Sequence, residues 1–396
     1  MKALRYRRGG LRGPGPRSTL SSASGIPGED CRRSWGQVRG RLLLIFLLLP
    51  GITTACEPSP SRSLDPVSVS LSYISDIELK TPDGFFVGDI RRNQVVDVSP
   101  EGLIAIADRL NSRVVLFDAN GNYLRSTGRR GDGPGEFRGL WALGWVGESR
   151  DRLWVADSQD RVTVYDTALA IDTLFRIPGG ADFVAGIQPV GSRVVFSPVR
   201  HPRIPHDVLA VYDLSGSEEA SFLERDARAW EVPYLGGEYL PVFAVFGDSV
   251  LAGSSLGYPL QVLDLSGNHG RFFGDPPPAL GEPEAPELGA FDVTVNPRAR
   301  AGYEAWVRSF GIVHSVWVLN DSIALVEHRR LDQGVLDRRV PTFHLDVYSL
   351  SSGEKIAEDL EIPGFIVATH DGNVWLLTTE PPDPWQFSVV QLEVSW

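Results

Sequence analysis

Leu103–Arg130, LIAIADRLNSRVVLFDANGNYLRSTGRR, decides the fold, because its grammar returns about fifty residues later in Leu153–Phe175, LWVADSQDRVTVYDTALAIDTLF. Each copy reads as an apolar strand, Ala-Asp, a short polar turn, Arg-Val, a strand ending in an aromatic residue and Asp, a tight turn, and a further strand. Short alternating strands repeated at this length are the mark of a propeller blade. Counting by the end of the third strand, Phe117-Asp118, Tyr165-Asp166, Tyr212-Asp213 and Leu263-Asp264 follow at steps of 48, 47 and 51 residues, and Tyr348-Ser349 comes 85 later. The last step is one blade plus an insertion.

The carboxyl end supplies three strands, near Phe365–Thr369, Val374–Thr379 and Phe387–Val394, while Val69–Leu79 near the other end has no neighbour to pair with. The amino-terminal strand therefore completes the last blade, and pairing the two ends removes the open edges that invite aggregation. The expected fold is all-β, a six-bladed β-propeller over residues 67–396 closed in this way. Within a blade, Val114 and Leu116, or Val162 and Val164, face one neighbouring blade, and the residues between them face the other.

Charge and cysteine content narrow the function. Residues 1–56 hold ten Lys/Arg and two acidic side chains, so the remaining 28 basic and 48 acidic groups leave the body near −20. Such a surface repels nucleic acid. The two cysteines, Cys31 and Cys56, both precede the propeller, so it holds no disulfide.

Arg39 and Arg41 precede the apolar run Leu42–Leu49, Pro50-Gly51 breaks it, and Ile52-Thr-Thr-Ala55 leads to Cys56. The run is too short to span a bilayer, which needs about 20 apolar residues. Residues 38–56 resemble a bacterial lipoprotein signal, which implies cleavage before Cys56 and its lipidation, although Thr53 stands where the lipobox usually has Leu. The expected location is the cell envelope, on the outer-membrane or periplasmic side. A cleaved secretory signal with Cys56 as a bystander is the alternative. Residues 1–37 read as a disordered or non-translated extension, with Val38 as the biological start, and residues 57–66 as a tether.

Ala107-Asp108 with Arg113-Val114, Ala156-Asp157 with Arg161-Val162, and Gly128-Arg-Arg-Gly-Asp-Gly-Pro-Gly-Glu-Phe137 carry a resemblance to six-bladed propellers of the NHL-repeat type, including bacterial envelope proteins. Two blades match well; the others match in strand rhythm. The resemblance implies the fold and little about function, since one fold hosts many activities.

Loop lengths say more. Links between strands 1 and 2, and between 3 and 4, are uniformly short, whereas links between strands 2 and 3 and between blades hold the long stretches: Thr81–Asn93, Gly128–Arg138, Pro198–Asp207, Glu224–Pro241, Gly274–Phe310, Glu327–Thr342 and Glu380–Trp385. One plain face and one decorated face follow, and binding groups favour loops on a rigid scaffold. Trp230, Trp306 and Trp385 lie in or beside these loops, placed to stack a sugar, dock a peptide or pack the loops down. His201, Arg203 and His206 in one loop, and Arg329 and Arg330 after His328 in another, are basic on an acidic body. They suit an anion, or salt bridges to Glu282, Glu284 and Glu287.

Catalytic patterns fail on context. Gly253-Ser-Ser-Leu-Gly257 has the spacing of a nucleophile elbow, but a strand rather than a helix follows it. Gly131-Asp-Gly-Pro-Gly135 precedes no helix that would hold a phosphate. His201 and His206 with Asp207 fit no standard metal spacing. Asp108 and Asp157, recurring in register, point to turn amides or to Arg113 and Arg161 as partners rather than to catalysis. The innermost strands offer Asp97 and little else to a calcium ion. The expectation is thus an exported, membrane-anchored binding protein for a protein, peptide or carbohydrate, with no catalytic residue, metal or cofactor. A metal-dependent lactonase- or lyase-like enzyme and a purely structural envelope protein are the alternatives.

Overall fold

Short apolar runs broken by Asp, Gly and Ser turns fold as their period of two dictates. The computed structural model describes residues 68–88, 90, 94–181, 183–199, 207–224, 241–255, 257–275, 311–330, 343–378 and 384–395, and among these every regular element is a strand.

Strand β1 (Ser68–Glu78) comes first in the chain and last in the sheets. Blade 1 is β2 (Val96–Val98), β3 (Ile104–Asp108), β4 (Arg113–Phe117) and β5 (Tyr123–Thr127). A parallel ladder of β6 (Arg129–Arg130) and β7 (Glu136–Phe137) lies in the connection to blade 2, which is β8 (Leu140–Val146), β9 (Arg152–Asp157), β10 (Arg161–Asp166) and β11 (Ile171–Arg176). Blade 3 is β12 (Phe183–Val190), β13 (Arg193–Val199), β14 (Asp207–Asp213) and β15 (Glu218–Glu224). Blade 4 is β16 (Pro241–Phe246), β17 (Ser249–Ser254), β18 (Gly257–Asp264) and β19 (His269–Phe273). Blade 5 is β20 (Gly311–Leu319), β21 (Ile323–Arg330), β22 (Phe343–Ser349) and β23 (Lys355–Ile362). In blade 6, β24 (Phe365–His370), β25 (Asn373–Leu377) and β26 (Gln386–Ser395) are completed by β1.

The closing strand is antiparallel to β26, from Ser68 opposite Ser395 to Glu78 opposite Gln386, with one irregularity between Tyr73 and Ser75. The first strand of each blade meets that of the next, and β24 meets β2, so the six four-stranded sheets form a closed ring. This is the six-bladed architecture expected, closed by the strand expected.

Blades are buried on both sides. Val114, Val115, Leu116 and Phe117 are all fully buried, as alternation between two apolar neighbours requires. Burying one such side chain stabilises by about 1.5–3 kcal/mol. One apolar cluster joins Trp154 and Val164 of blade 2 to Phe196 and Tyr212 of blade 3, another Val195 and Phe222 of blade 3 to Phe243 and Leu263 of blade 4. The aromatic chain Trp154–Phe175–Tyr212–Phe196, with centroids 5.0, 6.3 and 5.4 Å apart, crosses the blade 2/3 boundary.

The turns after the third strands explain their recurrent Asp. Asp118, Asp166, Asp213 and Asp264 each accept the amides two and four residues on, at 2.8–2.9 Å. Leu169 holds the positive-φ position of the Asp166 turn, at 59°, and glycine holds it in the other three, where it is needed twice over. Gly216 and Gly267 have φ of 89° and 82°, and a Cβ there would lie 2.4 Å from Phe175 and Phe222, the outer-strand aromatics of the preceding blade. Strand twist thus lays the ends of β11 and β15 beneath the tight turns of blades 3 and 4. The same holds where Lys80, just past β1, donates its amide to Gly121 O and accepts from Tyr123 N.

Polar groups stitch the ring. Asp97 accepts Trp145 N at 2.8 Å and pairs with Arg150 at 2.9 Å, joining blade 1 to blade 2. Gln188 accepts Val245 N at 2.9 Å and donates to Phe243 O at 3.0 Å, joining blade 3 to blade 4.

Candidate functional site

Connectivity divides the links as the sequence suggests. The links from strand 1 to 2 and from 3 to 4 are tight, such as β12 to β13 and β16 to β17, with two residues each. Every connection longer than five residues joins strand 2 to 3 or one blade to the next, the longest lying between Phe273 of β19 and Gly311 of β20. Near the ring's axis these sets fall on opposite sides. At the rim, the start of the connection from β1 to blade 1 comes up against a tight turn, where Lys80 meets Gly121 and Tyr123.

On the connection side, the recurrent Asp–Arg pairs act as clasps. Asp108, fully buried, takes Arg113 Nε at 2.9 Å on one oxygen and the amides of Gly88 and Asn111, each at 3.2 Å, on the other. Arg113 also donates to Phe86 O and lies over the Phe85 ring, 3.6 Å from its centroid. In blade 2, Asp157 pairs with Arg161 and accepts Gln159 N at 2.8 Å, while Arg161 donates to Asp132 O at 2.6 Å and to Glu136 O at 2.7 Å. Each pair thereby grips the inter-blade connection that precedes its blade. The Gly128–Phe137 stretch is that connection, with φ of 104° at Gly128 and 70° at Gly135. Turn amides and an arginine partner were the roles anticipated for both aspartates.

Beside these clasps, Arg109 lies 4.4 Å from the Trp141 ring centroid, and Phe86 and Leu110 are 55% and 70% exposed. An aromatic–guanidinium stack next to apolar side chains suits a planar or amphipathic ligand group.

The residues singled out from sequence fare differently. His201, Arg203, His206, Trp230 and Trp306, together with Cys56 and the segments 1–37, 38–56 and 57–66, lie outside the described residues. Arg329 and Arg330 are not in a loop: β21 carries the backbone through Arg330, pairing Arg329 with Ile312 and with Phe343 on its two sides. His328 is likewise on the strand and only 2% exposed. Charge hides this strand in the sequence, because the neighbours that pair with it are remote. Trp385 is 5% exposed, and its indole donates to Val87 O at 3.2 Å, so it packs the connections onto blades 6 and 1.

Blade 5 holds polar groups that sequence reading missed. Glu327, fully buried, accepts Ile366 N of blade 6 at 2.8 Å with one oxygen, and meets Ser315 Oγ and, at 3.1 Å, His314 Nδ1 with the other. Ser315 in turn accepts Trp317 Nε1 at 2.6 Å. The set contains serine, histidine and carboxylate, but the buried serine donates to the carboxylate and not to the imidazole, which is not the serine–imidazole–carboxylate order of a hydrolase triad. Asp346, also fully buried, meets His328 Nε2 and Lys355 Nζ at 3.3 Å and accepts Asp359 N at 2.9 Å. Burial pushes its carboxyl up, but the His328 hydrogen bond and charge, the Asp359 amide and Lys355 outweigh that and hold it below the usual range. Only the alternation of Glu327 and Asp346 with apolar residues inside strands hinted at this.

The serine-containing elbow look-alike is a turn between β17 and β18, where Ser254 pairs in register with Gly257. Among the described residues no three His, Cys, Asp or Glu side chains are grouped to hold a metal ion.

Comparison with known proteins agrees with the fold. A family model described as 6-bladed beta-propeller, DUF5128, matches residues 66–171, from β1 to the start of β11, where the repeat is clearest. A DUF4221-family member from Bacteroides vulgatus is similar in structure, at 13% identity and a TM-score of 0.56 over 83% of this chain and 99% of that one. A Bacteroides fragilis protein assigned as exported is similar at 13% identity and a TM-score of 0.52, over 82% and 95%. Virginiamycin B lyase from Staphylococcus aureus, at 11% identity and a TM-score of 0.42 over 82% and 99%, is too distant to bear on activity. No curated protein matches the chain. The protein is an all-β, six-bladed propeller.

Proposed function

We propose that the protein is an exported, lipid-anchored propeller of the NHL-repeat type that binds a protein, peptide or carbohydrate through its long connections. The observation that carries this reading is the division of its links: turns on one side are trimmed to the minimum, and all the spare chain lies between strands 2 and 3 and between blades. Binding groups gather where a rigid scaffold holds variable loops. His201, Arg203, His206, Trp230 and Trp306 supply the anion-binding and stacking groups, and Arg329 and Arg330 stand where β21 runs into its connection. Trp385 supports the connections from below. Anchoring rests on the lipobox-like approach to Cys56, and export on the apolar run before it.

The test is capture of a partner from the native envelope by the full chain and by the Trp230→Ala, Trp306→Ala double variant. Capture is expected to be lost in the variant while thermal unfolding is unchanged; undiminished capture would overturn the assignment of the site. A divalent cation recovered in stoichiometric amount with the purified chain would favour instead the metal-dependent, lactonase- or lyase-like reading.

A further inference from the structure

The chain enters the ring at a defined place. Ser68 begins β1 opposite Ser395, the end of β26, so the closing strand is also the strand nearest the proposed lipid. Strand β1 is the outer edge of blade 6 and touches β23 of blade 5. Following the ring through its inner strands, blades 2 and 3 stand across from this entry point.

Between Cys56 and Ser68 there are eleven residues, EPSPSRSLDPV. Fully extended they reach at most about 38 Å. A rigid body tied by so short a leash at one point of its rim keeps that point near the surface whatever its tilt, and the opposite point averages farthest away.

From this we infer that the anchor holds the blade 5/6 edge toward the bilayer and presents the blade 2/3 edge, with the connections on that side, to the aqueous compartment. This rests on lipidation at Cys56. The acidic body favours the same arrangement, because anionic headgroups repel any further approach.

The propeller contains no cysteine of its own, so single labels can be placed by Ser351→Cys and Asp371→Cys near the entry, and by Ala168→Cys and Ser215→Cys across the ring. All four positions are exposed tight-turn residues, so the comparison is around the ring and not between its faces. The full lipidated chain is bound to phosphatidylethanolamine/phosphatidylglycerol vesicles bearing a headgroup acceptor, and energy transfer is read from each label. Higher transfer from 351 and 371 than from 168 and 215 is expected. Equal transfer, or the reverse order, overturns the orientation. Flotation of Cys56→Ser with the same vesicles separates the two ideas: its loss upholds lipidation whatever the transfer order, and its persistence removes the anchor and the orientation together.

Discussion

At the scale of single residues, the repeated aspartates divide into two kinds by burial. Asp157 and Arg161 are 2% and 6% exposed, and each has hydrogen bonds beyond the pair. Asp157→Ala leaves a buried guanidinium short of its partner and is expected to cost about 3 kcal/mol in denaturant unfolding. Arg193→Ala, which breaks the exposed 3.4 Å contact with Asp248, is expected to change stability by no more than about 0.5 kcal/mol. The turn aspartates act through pH. The Asn122 amide, the Ser215 hydroxyl and the Asn268 amide hold Asp118, Asp213 and Asp264 below the ordinary value of 3.8. Near that pH the unfolded chain takes up protons more readily than the folded one, so their stabilisation is complete above 3.8 and drains away as pH falls below it. The melting temperature of the Asp118→Asn, Asp213→Asn, Asp264→Asn variant should therefore fall less steeply than that of the wild type on acidification below that value; parallel curves would show that these turns do not govern acid stability.

For the elements, the closing strand is the most exposed to test. Strand β1 contributes Val69, Leu71 and Ile77 to the edge of the largest apolar cluster and pairs with the outer border of β26 along its length. A chain starting at Leu79 would bare that border, and unpaired edges seek new partners. Such a truncation is expected to self-associate in size-exclusion chromatography and to regain monomeric elution when a peptide spanning residues 67–78 is added. A truncated chain that stays monomeric and melts like the full propeller would show that closure contributes little. Blade 5 makes the complementary point about strands. Glu327 and His328 belong to β21 although their chemistry suggests a solvated loop, because Ser315, Ile366 and Asp346 satisfy them from neighbouring strands.

Across the whole molecule, blade number was legible because the features that encode it are local, and closure because three strands at one end and one at the other leave a single blade to complete. An aspartate two and four residues from the amides it caps, or an aspartate four or five residues before its arginine, forms the same contact wherever the segment recurs. The sparing of the tight turns was equally visible, as loop length needs no coordinates. What the candidate site looks like was less so: Trp385 reads as a surface aromatic until Val87, 298 residues earlier, receives its indole proton, and Arg329 reads as a loop residue until Phe343 pairs with it. The sequence by itself determined the strands, their turns, the six-fold count and the strand that closes the ring, since each follows from period and neighbouring residues. Only the tertiary structure decided which charged groups are buried, which connections the Asp–Arg clasps grip, and where on the rim the chain enters, because those depend on groups that folding alone brings within hydrogen-bonding distance.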